Sequence, residues 1–174
     1  IYFEYTYLIT LGVLTSLSLP PYNYLIINFV TFSLFFIYIF QKKKSVNRSK
    51  IFLYGWFYGF GYFLSNLYWI SISLTFDTSF EHLVPIALIV IPAFLAIFYG
   101  IATYCFFIIN IKKSLSNLFL FSLLFGLIEF LRGNILTGFP WNLIVYSLSK
   151  NLEIIQIISL IGTYAFNIIC ISFF

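Results

Sequence analysis

Long apolar runs separated by short polar breaks make up most of the chain, and within each run the apolar residues are continuous rather than alternating. A helix needs about 20 such residues to cross a hydrocarbon core of about 30 Å. Six stretches meet or approach that length: 5–19, 24–40, 51–72, 83–111, 118–131 and 154–174. Between the first two, Pro20-Pro21-Tyr22-Asn23 predicts a tight turn, because Pro stops a helix and Asn favours turns. The pattern predicts an all-α, polytopic helical membrane protein with about six transmembrane helices, forming one multi-span domain over residues 1–174. Strict alternation over short segments, the mark of a membrane β-barrel, does not occur.

Composition narrows the function classes. Of 174 residues, 62% are hydrophobic and only 8% charged, against about 25% charged in soluble domains. Such a chain cannot cover itself with polar groups in water, which excludes a soluble enzyme, and its aromatics exclude a disordered segment. Aromatics reach 24%, with 24 Phe and 14 Tyr, which suits a bilayer and its interfaces. The net charge of +4 would fit a nucleic-acid binder, but its distribution does not. Seven of the nine Lys and Arg (Lys42, Lys43, Lys44, Arg48, Lys50, Lys112, Lys113) fall in the breaks after the second and fourth stretches. Those two breaks lie on one side of the membrane. The positive-inside rule makes that side cytoplasmic, with the N-terminus, and leaves 75–82 and 133–153 on the outer side. No nucleic-acid partner is expected.

Both ends read as cut. There is no Met, and residues 171–174 lie inside an apolar run, so the expectation is a fragment of a longer membrane protein. Cys105 and Cys170 sit in apolar runs and read as two buried structural thiols, neither a disulfide framework nor a metal site. His82, the single His, lies among Asp77 and Glu81 and reads as a solvated loop residue. Gly55, Gly59 and Gly61, with Ala96 and Gly100, have the small-residue spacing that lets helices approach closely in lipid. Pro85 and Pro92 predict kinks in the fourth stretch. Trp56 and Trp69 read as interface anchors or core residues.

One segment resists a purely scaffold reading: Glu129-Phe-Leu-Arg132-Gly-Asn-Ile-Leu-Thr-Gly138-Phe139-Pro140-Trp141-Asn142. Glu129 and Arg132, three apart, share a helix face. Ionisable groups beside a membrane span are costly, so they pair or serve a function. Gly133 and Gly138 are expected to break the helix. Residues 142–149 are apolar but too short to span, so they lie at the outer interface or dip back into the protein, where they would edge a lipid-binding cleft. No Ser-His-Asp set, phosphate loop, HExxH or CxxC is present.

The string Glu129–Asn142, followed by Tyr146-Ser147, resembles the signature of the membrane domain of the bacterial apolipoprotein N-acyltransferase family. Leu19-Pro20-Pro21-Tyr22, the glycine-rich 55–72 and 162–167 resemble further parts of the family in order and spacing. The resemblance implies an inner-membrane, multi-pass enzyme of eight spans with both termini cytoplasmic. Such an enzyme transfers a fatty acyl chain from a phospholipid donor to the N-terminal amine of diacylglyceryl-cysteine on an apolipoprotein. A thioester on Cys, with a Glu and a Lys, would carry the reaction in a periplasmic nitrilase-like domain expected downstream. It therefore implies no catalytic residue, metal or cofactor within residues 1–174. It offers Glu129, Arg132, Gly138, Phe139, Pro140 and Trp141 as residues shaping a lipid-accessible cleft, with Arg132 placed to attract a phospholipid phosphate. On the residues alone, a transporter-type or structural membrane domain, or the membrane part of a polyprenol-lipid glycosyltransferase fusion, stays open.

Overall fold

The computed structural model describes residues 2–109, 111, 113–135 and 140–174. Among them there are helices and no strands. In order these are α1 (Tyr2–Ser16), α2 (Ile26–Lys42), α3 (Arg48–Leu67), α4 (Val84–Ile108), α5 (Ser114–Asn134), α6 (Leu152–Ile155), α7 (Ile158–Ile161) and α8 (Thr163–Phe173). Short 3₁₀ helices cover Tyr68–Thr75, Glu81–Leu83 and Ile144–Leu148. The helix over Glu81–Ile108 and α5 are long and apolar enough to cross a membrane, and Ile26–Lys42, Leu152–Ile161 and Thr163–Phe173 are apolar but shorter.

The fold turns its apolar residues outward as well as inward. On α4 the exposed residues Ile86, Val90, Phe94, Ile97 and Ile101 recur every three or four positions. Leu115, Phe119, Leu123 and Leu127 do the same on α5. Continuous apolar stripes of this kind mark a surface that meets lipid or another protein. Conversely, Thr15, Asn28, Thr103, Asn117, Ser122, Glu129, Arg132 and Asn167 are buried. An apolar outside around a partly polar inside is the arrangement of a membrane bundle, where helices gain from small residues and interhelical hydrogen bonds.

Close approach is set by α3. On one side Gly61 lies against the Ile9 backbone of α1, and Gly12 of α1 lies against the backbone of Tyr58 and Tyr62. On the other, Gly55 and Gly59 lie against Tyr99 and Thr103 of α4. At that crossing the Thr103 hydroxyl lies 2.9 Å from the Ile51 carbonyl. A second polar node ties three helices. The Tyr58 hydroxyl is 2.9 Å from Thr15 Oγ1, which donates to Thr31 Oγ1 at 2.8 Å. Around these nodes an aromatic core fills the centre. Phe35 of α2 stacks on Tyr58 with ring centroids 3.8 Å apart, and Phe32 meets Phe125 of α5 edge-on. α2 thereby reaches both α3 and α5, and α8 packs on α5.

Several expectations take a different form. α3 ends at Leu67, and the rest of the stretch 51–72 winds on as 3₁₀ helix. The stretch 154–174 is built as three pieces; Gly162, at φ 85°, separates α7 from α8, a backbone state glycine reaches without a Cβ clash. Gly133 does not break α5, which continues to Asn134; its missing Cβ leaves room for the Tyr164 hydroxyl. Pro85 stands in the first turn of α4, where its lost N–H has no helical partner, so no kink is required there. Cys170 is buried, whereas Cys105 is half-buried, and both are free thiols. Trp56 donates its indole N–H to the Ala93 carbonyl at 3.0 Å, which makes it a packing residue of α3 and α4. His82 is exposed, and no metal-ligating cluster occurs among the described residues. In the same loop the Ser79 backbone N–H donates to Asp77 at 2.9 Å and holds that carboxyl below its usual range.

Candidate functional site

Residues 140–149 enter the bundle without forming a long helix. Backbone that is not helical at membrane depth must find its hydrogen bonds in protein. Here it does so through side chains from three helices. Arg132 of α5 donates to the Trp141 carbonyl at 2.9 Å. Tyr62 of α3 donates its hydroxyl to the Asn142 carbonyl at 2.7 Å. The side chain of Asn167 on α8 accepts the Val145 N–H at 2.9 Å. Leu143, Ile144, Val145 and Leu148 then pack into the core. At the far end Ser149 donates to Asn23 Oδ1 at 2.9 Å, tying the segment to the turn after α1.

Arg132 is the centre of this support. Its side chain and that of Glu129 are each 1% exposed and form an ion pair. Nε donates to Glu129 Oε2 at 2.7 Å, and the guanidinium lies 5.1 Å from the Phe63 ring centroid. The expected pairing at i and i+3 is therefore present. The buried guanidinium donates to the Glu129 carboxylate and to the Trp141 carbonyl. It is a positioning residue for the re-entrant segment.

Above it lies an open groove of about 450 Å³, lined by Leu19, Pro20, Trp69, Trp141, Asn142, Tyr146 and Ser149. The turn after α1, the 3₁₀ helix after α3 and the segment 141–149 meet there. The Trp141 ring stacks on that of Trp69, 5.3 Å away and inclined by 25°; both are nearly half exposed. The groove thus has aromatic walls with a few polar edges, the composition of a site for an apolar chain that carries a polar head. Pro140 stands exposed just before it, while Gly138 and Phe139 lie outside the described residues.

Asn142 holds a left-handed conformation, φ 58°, at the point where the chain turns inward. Asn tolerates that region better than other side chains, and β-branched residues avoid it. Asn142→Val is expected to lower stability by about 1–2 kcal/mol. Asn142→Gly is expected to be neutral, since the Tyr62 bond is to the main chain. Thermal melts in detergent decide it; equal melting of the two variants would refute the conformational argument.

The candidates read from the sequence thus divide. Trp141 faces the groove, whereas Glu129 and Arg132 sit beneath it. Tyr62 and Asn167 are contributors that sequence reasoning missed, and Asn23 and Trp69 were noticed there without a part in this site. For Asn167 a signal existed, a lone amide inside an apolar run, which a membrane helix retains to hydrogen-bond another element. Tyr62 had none, being one of 14 tyrosines.

The profile of the Apolipoprotein N-acyltransferase N-terminal domain family matches residues 11–173. The apolipoprotein N-acyltransferase of Rhodopseudomonas palustris is 33% identical, over 94% of this chain and 31% of the relative. That of Rickettsia typhi is 38% identical over 92% of this chain and 32% of the relative. That of Brucella melitensis is 32% identical over 94% of this chain and 32% of the relative. The chain spans about a third of the length of the curated relatives it matches.

Proposed function

The chain belongs to the apolipoprotein N-acyltransferase N-terminal domain family, and from that premise we propose that it is the membrane platform of such an enzyme. The whole protein transfers a fatty acyl chain from a phospholipid to the N-terminal amine of diacylglyceryl-cysteine on bacterial apolipoproteins. The platform is multi-pass in the inner membrane, with about six spans near 5–19, 24–40, 51–72, 83–111, 118–131 and 154–174 and a cytoplasmic N-terminus. The thioester chemistry belongs to a nitrilase-like periplasmic domain outside residues 1–174. The platform supplies neither catalytic residue, metal nor cofactor.

The observation that carries this reading is the aromatic groove at the end of the bundle that the positive-inside rule assigns to the periplasm. Both substrates are held by acyl chains in the outer leaflet. Extracting them into water would cost about 0.8 kcal/mol for each exposed CH₂. A groove walled by Trp69 and Trp141 and open at the side lets a chain stay in an apolar environment while its head group rises toward the nucleophile. The binding energy then goes into orientation. Glu129, Arg132, Pro140 and Trp141 shape that mouth, with the ion pair acting from below by fixing the Trp141 carbonyl.

Replacing Trp141 by Ala in the whole protein tests the reading. Loss of the stacked wall is expected to lower kcat/KM for acyl transfer from phospholipid to a diacylglyceryl-cysteine peptide by about tenfold, since about 1.4 kcal/mol is a factor of ten. Because the residue is half exposed, the melting temperature stays near that of the parent. Full transfer activity in a well-folded Trp141→Ala protein overturns the assignment of the groove.

A further inference from the structure

The opposite end of the bundle carries a second groove with different chemistry. α3 starts at Arg48 behind Asn47, whose side chain accepts the Lys50 N–H at 3.0 Å. One turn further in, Phe52 leans across to α4 and fills the space left by the missing Cβ of Gly100; a Cβ there would stand 2.7 Å from the ring. The ring sinks between the helices and leaves a groove of about 480 Å³, lined by Arg48, Ser49, Phe52, Leu53, Ile101 and Tyr104. Ile101 belongs to the exposed apolar stripe of α4, so the groove joins the lateral apolar surface of the bundle.

Its mouth is cationic. Arg48, Ser49 and Lys50 form the first turn of α3, and Lys44 precedes them in the loop. The neighbouring cations are engaged elsewhere. Lys42 pairs with Glu4, and Lys43 lies 4.4 Å from the Phe106 ring centroid. Arg48 and Lys50 have no carboxylate partner among the described residues, where the ion pairs are Lys42–Glu4 and Arg132–Glu129. The positive end of the helix dipole adds to the same field.

We propose that this groove binds one anionic phospholipid. An acyl chain lies along Phe52, Leu53, Ile101 and Tyr104, and the phosphate is held by Arg48, Ser49 and Lys50. A basic pocket between membrane helices recognises anionic head groups, and guanidinium pairs well with phosphate. The apolar floor distinguishes the occupant from a free anion, which would have no use for it. Because this groove lies at the other end of the bundle from Trp69 and Trp141, its lipid is a resident one and not the acyl donor. Its leaflet, the cytoplasmic one, rests on the orientation proposed above, whereas the site itself does not.

The test uses the whole protein, purified and delipidated in a neutral detergent. Phosphatidylglycerol, phosphatidylcholine or inorganic phosphate is added, and bound lipid is counted by native mass spectrometry beside a thermal melt. One phosphatidylglycerol is expected to bind about tenfold more tightly than phosphatidylcholine, and inorganic phosphate is expected to leave the melt unmoved. Arg48→Gln with Lys50→Gln should remove the preference. Ile101→Trp, which fills the groove from an exposed position, should remove the bound lipid with both cations intact. Lipid-free melts at the parent temperature establish that these surface variants are folded. Equal binding of the two lipids, unchanged phosphatidylglycerol binding in either variant, or equal protection by inorganic phosphate overturns the proposal.

Discussion

Arg132→Met is expected to destabilise the bundle by about 3–5 kcal/mol, the range for removing one partner of a buried ion pair. The cost comes mainly from what stays behind. Glu129, itself buried, loses the charge that compensates it, and the Trp141 carbonyl loses its donor. The second loss is structural, because that carbonyl starts the re-entrant segment. Faster hydrogen exchange and new proteolytic cleavage are expected across 140–149, while α3 and α4 stay protected. Combining Arg132→Met with Glu129→Gln should recover much of the stability, since no buried charge then remains. Recovered stability without recovered protection at 140–149 would separate the electrostatic role of Arg132 from its positioning role. A single Arg132→Met protein that melts with the parent and shows parent-like exchange would refute both.

The Glu129–Arg132 pair was legible because its physics is local: two charges three residues apart on one helix face have each other as nearest partner. The all-helical architecture was legible for a similar reason. In lipid each backbone group must be satisfied within its own helix, so continuous apolar runs are themselves the signal. What holds 140–149 was not legible. Tyr62 lies 80 residues from Asn142, and Asn167 lies 22 from Val145. Which tyrosine or amide reaches which carbonyl depends on how the helices cross. Trp69 was noticed, but its stacking on Trp141 depends on the turn of 3₁₀ helix after α3, which apolar content cannot distinguish from α-helix. Gly133 shows the converse error. Read by local propensity it ends a helix; in the bundle, contact with Tyr164 of α8 uses the missing side chain instead. Sequence spacing gives the face of the Arg132 side chain and not its depth, so its burial beside Glu129 could not be read from the sequence.

Gly61→Val is expected to be the other severe substitution, at or above the upper end of the about 1–3 kcal/mol usual for overpacking. At most crowded glycines the neighbour is a side chain that can turn aside. At Gly126 it is Ile168 Cγ1 and Cδ1. At Gly61 the neighbour is main chain: an added Cβ falls against the Ile9 carbonyl and 3.0 Å from its Cα. Gly12, across the same crossing, stands where a Cβ would be 2.7 Å from the Tyr62 nitrogen. Neither helix can yield locally, so α1 and α3 must move apart. That separation opens the Thr15–Tyr58 hydrogen bond and shifts Tyr62 away from the Asn142 carbonyl. The groove formed by the ends of those helices should lose its shape as well, although Gly61 does not line it. Melts of Gly61→Ala and Gly126→Ala provide the control for size alone. The same methyl should cost more at Gly61, where it meets backbone, than at Gly126, where it meets a rotatable chain. Equal melting of these two, or a Gly61→Val protein that keeps the parent's exchange protection at 140–149, would show that the α1–α3 crossing does not hold the re-entrant segment in place.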